Sequence, residues 1–291
     1  MAQGYRRRLQ AELERLFPLK LAESWDNTGL LVDPGAEPAE ERSGILLTND
    51  LTEAVVQEAV DLNVGFIYTY HPMPFRGQKR LTQEDATQRI VTRCIREDIV
   101  VYSPHTACDN AFGGVNDWLA ASFGSDAQVK PVVALEGDGI AAGSGRGRRI
   151  TLPSSRTLGQ AIDDVKHHAQ VPHARFAPAN KLLEAGVKRD STSVREILDS
   201  TSVKSVAVQA GSGISVLANV VDVDLWVTGE ASHHDVLAAN AQGVSVVLLE
   251  HSNSERAFLP TLAKRLAEAC DFVPAHAIHV SKVDADPLHV V

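Results

Sequence analysis

Three apolar runs of this chain each end in a histidine: "VGFIYTYHP" in His71, "IVVYSPHTACD" in His105 and "VSVVLLEHSNSE" in His251. Two of these histidines have a carboxylate four residues on, Asp109 after His105 and Glu255 after His251. On a helical turn that spacing puts both side chains on one face. Imidazole and carboxylate together suit Zn, Fe, Mn, Co or Ni. Five such groups exceed the roughly three that one catalytic zinc takes from protein; they fit two cations sharing a bridging ligand or water. Singly the signals are weak, because a strand-end histidine is commonly a hydrogen-bonded surface group and an isolated HxxxE says little. Their recurrence at equivalent positions is what points to metal. An unpaired carboxylate buried at a strand tip is costly, and a cation would offset it.

The elements that must position these residues alternate between strand and helix. "RRRLQAELERLF" carries Leu9, Leu13 and Leu16 at helical spacing. "SGILLTNDL", "VGFIYTY" and "IVVYSP" read as strands, with helices predicted over "TEAVVQEAVDLN", capped by Thr52, over "QEDATQRIVTRCIRED" and over "NDWLAASF". The middle is less regular. A glycine-rich turn, "EGDGIAAGSGRGRRITLP", feeds a strand; "TLGQAIDDVKHHAQ" is a helix; "PHARFAPANKLLEAGVKRDST" reads as polar loop. The rhythm then returns through "KSVAVQAGSGIS", "VDLWVTGEASHHDVLAANAQG" and "VSVVLLEHSNSERAFLPTLAKRLAEAC". Such alternation predicts an α/β fold of layered sheets with parallel pairing. Two lobes follow, an N-terminal one over residues 1–125 and a second over 126–291 that includes the irregular middle. Ligands of such sheets bind outside the carboxyl ends of the strands, which is where the three histidines fall.

A fourth strand tip, "DLWVTGEASHHD", presents Glu230, His233, His234 and Asp235. As further ligands they would overfill the site. Glu230 and His233 are therefore assigned catalytic support: orienting a ligand imidazole, meeting substrate or shuttling a proton. The structural alternative is a helix N-cap at Ser232. "QAGSGIS" and "AGSGRGRRI" are compatible with anion loops, and phosphate would be placed near Gly211 and Gly145, although tight turns explain both. Neither carries the Gly-Lys-Ser/Thr of a P-loop. "SWDNTGLLV" reads as an Asx turn opening a strand.

Composition narrows the classes. The net charge of −9 argues against a nucleic-acid backbone as the main ligand. Three cysteines, Cys94, Cys108 and Cys270, form no CxxC pair, so neither a disulfide framework nor a thiolate zinc site is expected and a reducing compartment fits. No apolar stretch approaches the ~20 residues of a membrane span. The start lacks the apolar core of a secretory signal, and a mitochondrial presequence is disfavoured. The expected location is the cytoplasm, with nuclear entry through partners.

Together "ESWDNTGLLV", "YTYHPMPFRG", "VYSPHTACDNAFGGVNDWLA" and "TGEASHHDVLAANAQGVSVVLLEHSNSERAFL" resemble the Nif-three-like family (NGG-one-interacting factor three), dinuclear metal-binding proteins, over nearly the whole chain. The resemblance implies two similar layered α/β lobes with mixed sheets and a metal site in the cleft between them. It places two divalent ions on His71, His105, Asp109, His251 and Glu255, the five residues already singled out. Bacterial members often read His-His-Pro where this chain has Tyr70-His71-Pro72. A phenol with a pKa of about 10 is a poor ligand, so weaker binding at one ion is expected. The resemblance also implies a homohexameric ring and a transcription-coactivator partner. The leading function is metal-dependent hydrolysis of a small or nucleotide-like substrate through an activated water; the family's label as a type-two GTP cyclohydrolase does not follow from ligands alone. The alternatives are a regulatory scaffold without catalysis, and metal storage or delivery.

Overall fold

A computed structural model of the chain describes residues 4–35, 42–183 and 191–290. Eleven strands are found among the described residues. In chain order they are β1 (Gly29–Val32), β2 (Ile45–Thr48), β3 (Phe66–Thr69), β4 (Val100–Ser103), β5 (Gln128–Ala134), β6 (Gly145–Thr157), β7 (Arg175–Ala177), β8 (Ser202–Gln209), β9 (Leu225–Thr228), β10 (Ser245–Leu248) and β11 (Ile278–Val280). They form two sheets, ordered β1-β4-β3-β2-β11 and β5-β6-β8-β9-β10-β7. Both are mixed. The chain divides into two compact units, 1–111 with 259–289, and 112–258. The last helix and strand, Leu259–Ala269 and β11, belong with the first unit.

In the first unit β2, β3 and β4 are parallel, β11 adds in parallel beside β2, and β1 closes the other edge antiparallel to β4. Every residue of β2, β3 and β4 is buried. Continuous apolar strands of this kind are those covered on both faces. One cover is built from the helices Glu53–Asp61 and Ala86–Arg96. Their Val55, Val56, Ala59, Ile90, Val91 and Cys94 pack with Leu46, Ile67 and Val101 in one apolar cluster. Emptying one such position, as in Ile67→Ala, costs about 2–5 kcal/mol. Thr52, the expected cap, accepts from the Val55 amide, and the second helix starts at Ala86, where Asp85 accepts from the Gln88 amide.

In the second unit β8, β9 and β10 are parallel, while β5, β6 and β7 pair antiparallel. Ala207, Trp226 and Val246 of the parallel strands pack with Leu217, Val220 and Ala239. The stretch read as polar loop contains β7, an edge strand of three residues, and a 3-10 turn at Asn180–Leu182. Its residues 184–190 lie outside the described residues. β7 is too short to show a period and pairs antiparallel with β10. At the start of β6, after the glycine-rich turn, Arg148, 1% exposed, donates to Asp117 (2.5 and 2.9 Å) and to the carbonyls of Gly145 and Gly147 (2.6 and 2.8 Å). Gly145 is required there, since a Cβ would lie 2.2 Å from the Val133 carbonyl. No helix among the described residues is long and apolar enough to cross a membrane.

Candidate metal centre

In the first unit the candidate ligands stand at the carboxyl ends of parallel strands. Beyond β2 and β3 the pairing continues: Tyr70 N–H donates to the Thr48 carbonyl (2.9 Å) and His71 N–H to that of Asn49 (3.0 Å). Beyond β4, His105 opens the short helix Thr106–Asn110 with φ 38°, a left-handed conformation that a non-glycine residue holds only under tertiary constraint. The rings of His71 and His105 lie 5.5 Å apart between centroids. Asp109 sits one turn after His105, with its amide donating to the His105 carbonyl (3.3 Å).

Each imidazole is backed by a carboxylate. His71 Nδ1 faces Asp50 Oδ1 at 2.8 Å, and His105 Nδ1 faces Asp26 Oδ1 at 2.8 Å. This fixes the rings through Nδ1, so that Nε2 is the nitrogen that could donate to a metal, the arrangement that supports metal-bound histidines elsewhere. The Asp26 side chain is fully buried. It also accepts from the amides of Thr106 (3.1 Å) and Asn27 (2.8 Å) and from the Thr106 hydroxyl. So the "SWDN" motif does more than start a strand. Burial pushes the Asp26 carboxyl up, but the hydrogen bond and charge of His105 and the bonds from Thr106 outweigh it, and the group is held below the ordinary carboxylate value. Asp109 goes the other way: burial raises it above that value against the opposing pull of His105, the Tyr70 hydroxyl and His71. The Tyr70 hydroxyl, on a ring 2% exposed, donates to Asp109 Oδ1. The Tyr70 phenol thus holds a candidate ligand by a hydrogen bond.

In the second unit His251 and Glu255 flank a 3-10 turn, Ser252–Ser254, where an α-helical turn is predicted. The pair still meets, His251 Nε2 lying 3.4 Å from Glu255 Oε1. The Glu255 side chain is 2% exposed. Glu230 Oε1 lies 3.1 Å from His251 Nδ1, giving the third imidazole its carboxylate too. The Gly211 loop closes around this pair. Gly211 N–H donates to Ser254 Oγ (2.8 Å), and the amides of Gly229 and Glu230 donate to the Gly211 carbonyl (3.0 and 3.1 Å). A Cβ at Gly211 (φ 63°) would lie 2.5 Å from Glu255 Oε1 and 3.3 Å from His251 Nε2. The loop therefore keeps open the space beside both donor atoms. Its amides at Gly211 and Gly213 are bonded to Ser254 and Thr228.

His233 is not brought to this group. Ser232 and Asp235 form a reciprocal capping box. The box sets His233 in the first helical turn, exposed, with its ring against that of His234 (5.5 Å). The residues that sequence reasoning missed are Asp26 and Asp50. Their partners lie far along the chain, and no local pattern marks them.

The donor set fits divalent cations: each of the three imidazoles offers Nε2, and Asp109 and Glu255 supply negative charge under cover that a cation would offset. A family model described as Duf34/NIF3 (NGG1p interacting factor 3) matches residues 5–287. The chain is 40% identical over 287 residues to the "Protein NIF3 homolog" of Schizosaccharomyces pombe, covering 97% of this chain and 96% of that one. It is 37% identical over 296 residues to the "NGG1-interacting factor 3" of Saccharomyces cerevisiae, with 97% and 96% coverage. Its fold matches a crystal structure of a Bacillus cereus protein related to NIF3, with a TM-score of 0.76, 23% identity and 98% of each chain covered.

Proposed function

The chain belongs to the Duf34/NIF3 family, and from that premise we propose that it binds two divalent cations through His71, His105, Asp109, His251 and Glu255 and hydrolyses a small or nucleotide-like substrate. Bound cations supply Lewis acidity and lower the pKa of water to near neutrality. The chain's own residues prepare for this. Asp50, Asp26 and Glu230 hold the three imidazoles at Nδ1, and Tyr70 holds Asp109. Glu230, with its side chain 49% exposed, is placed to take and return a proton at His251 Nδ1. Trp25 (62% exposed) and Phe75 (44%) stand beside the His105 ring, with centroids 6.2 and 6.3 Å from it, and offer a planar substrate an apolar edge.

The observation that carries the reading is the carboxylate behind every candidate imidazole. Within the second unit, His251 Nε2 and the buried Glu255 Oε1, 3.4 Å apart, support it. Elemental analysis of the purified protein beside His105→Ala and His251→Ala tests it. We expect metal to fall in both variants; equal content in all three removes the proposal.

A second reading is favoured by the name of the yeast relative, which records an interaction with NGG1. Here the protein acts as a regulatory scaffold in cytoplasm and nucleus, as a homohexameric ring. Asp109→Asn separates the two. Turnover lost across a panel of nucleotide and ester substrates, with partner capture kept, supports the enzyme; a wild type inert on every substrate supports the scaffold. Light scattering of the purified chain tests the ring.

A further inference from the structure

The segment after β11 stays on the first unit. Ser281 N–H donates to the Leu47 carbonyl (2.8 Å), Ser281 Oγ to Glu58 Oε2 (2.5 Å) and Lys282 N–H to Glu58 Oε1 (2.9 Å). Ser281 Oγ also accepts from the amides of Val283 (3.3 Å) and Asp284 (3.1 Å), which folds the segment into a turn. The turn returns the Asp284 carboxylate to the tip of β2, where Oδ2 accepts from the Asn49 amide at 2.8 Å.

That amide needs a partner. Asn49 is fully buried, and the ladder between β11 and β2 has already ended at Val280 and Leu47. Among the described residues that ladder stops short of Asn49, and a buried N–H left unpaired is costly. Asp284 replaces the missing strand with a charged acceptor, a stronger bond than one between neutral groups. On its other side Asn49 receives the His71 amide through its carbonyl (3.0 Å), and Asn49 Nδ2 lies 3.3 Å from Asp50 Oδ2 and 3.4 Å from His71 Nδ1. The residue that Asp284 clamps is therefore the one on which both His71 and its backing carboxylate Asp50 are hung.

We infer that Asp284 is a positioning residue for His71, and that the C-terminal segment is a structural part of the metal centre. The inference rests on the metal-binding reading above. Its test uses the full chain with Asp284→Ala, Asp284→Asn and, as control, His71→Ala. Three quantities are read: Co(II) affinity with the visible spectrum of the bound ion, the apo-protein melting temperature, and the tautomer of His71 from nitrogen-15 NMR of the imidazoles. We expect Asp284→Ala to weaken Co(II) binding about 10–100-fold and to mix the His71 tautomers, with the apo melting temperature close to wild type. The amide oxygen of Asp284→Asn keeps an acceptor for Asn49 and should restore both.

Wild-type affinity and tautomer in Asp284→Ala overturn the inference, as does an equal loss in the Asn variant. If Asp284→Ala does not fold, Asp284→Asn still decides: a loss approaching that of His71→Ala overturns it, and near-wild-type behaviour supports it. If His71→Ala keeps full Co(II) affinity, the metal reading at His71 fails. The metal-free tautomer measurement then judges the clamp alone, and an unmoved His71 in Asp284→Ala sinks it.

Discussion

The two units prepare their histidines by different means. In the first, position comes from hydrogen bonding: two imidazoles rest on Asp50 and on the buried Asp26, and Asp109 rests on Tyr70. In the second, position comes from the absence of side chains. His251 has a backing carboxylate that is half exposed, while Gly211 and Gly229 let backbone and ligand residues approach within distances that a Cβ would forbid. The first unit should therefore be sensitive to losing an acceptor, and the second to gaining a methyl group.

The strongest way to break that contrast is Gly229→Ala. The new Cβ would meet the Gly211 carbonyl at 2.7 Å, Ser254 Oγ at 2.8 Å and His251 Cα at 2.9 Å. Two of these are backbone atoms, so relaxation is hard and we expect about 3 kcal/mol of destabilisation with loss of bound metal. Urea unfolding and elemental analysis check this; a change below about 0.5 kcal/mol would mean that the close approach is not constraining.

Next comes Asp26→Asn against Glu230→Gln, which sharpens the comparison. Removing the buried carboxylate should weaken metal binding about 10–100-fold. Removing the exposed one should do so by the smaller factor, because water replaces what it loses. A competition titration with a metal indicator ranks them, and the reverse order would refute the contrast.

A smaller effect tests whether hydrogen-bond backing also serves the second unit away from its histidines. Asp224 is pushed up by burial, but bonds from the amides of Lys204 and Ser205 and from the Ser205 hydroxyl prevail and hold it below the ordinary carboxylate value of 3.8. A depressed folded-state pKa stabilises the fold above the unfolded value and loses that contribution as pH falls through the folded one. Wild type should therefore lose stability relative to Asp224→Asn between about pH 5 and pH 2. Parallel unfolding curves of the two proteins across that window would show that these bonds contribute nothing.

What the sequence revealed and what it concealed divides along the same line. The tips bearing His71, His105 and His251 were legible because an apolar run ending in a polar residue is local information, as is the i+4 spacing of Asp109 and Glu255. The caps at Thr52 and Ser232 were legible for the same reason. Asp26 was not, since its partner His105 lies 79 residues along the chain. Nor was the burial of Arg148 against Asp117, 31 residues away in the chain. β7 and β11, three residues each, take their conformation from the strand they join and carry no period of their own.

The return of β11 to β2 also sets an order of events during synthesis. β2 emerges from the ribosome early and is flanked on one side by β3, but the neighbour for its other side is translated only after the whole second unit. Until then an apolar strand presents unpaired backbone groups, the kind of edge that recruits other chains. Premature termination just before β11 would make that temporary edge permanent, and the expected consequence in a cell is deposition or degradation of the shortened product.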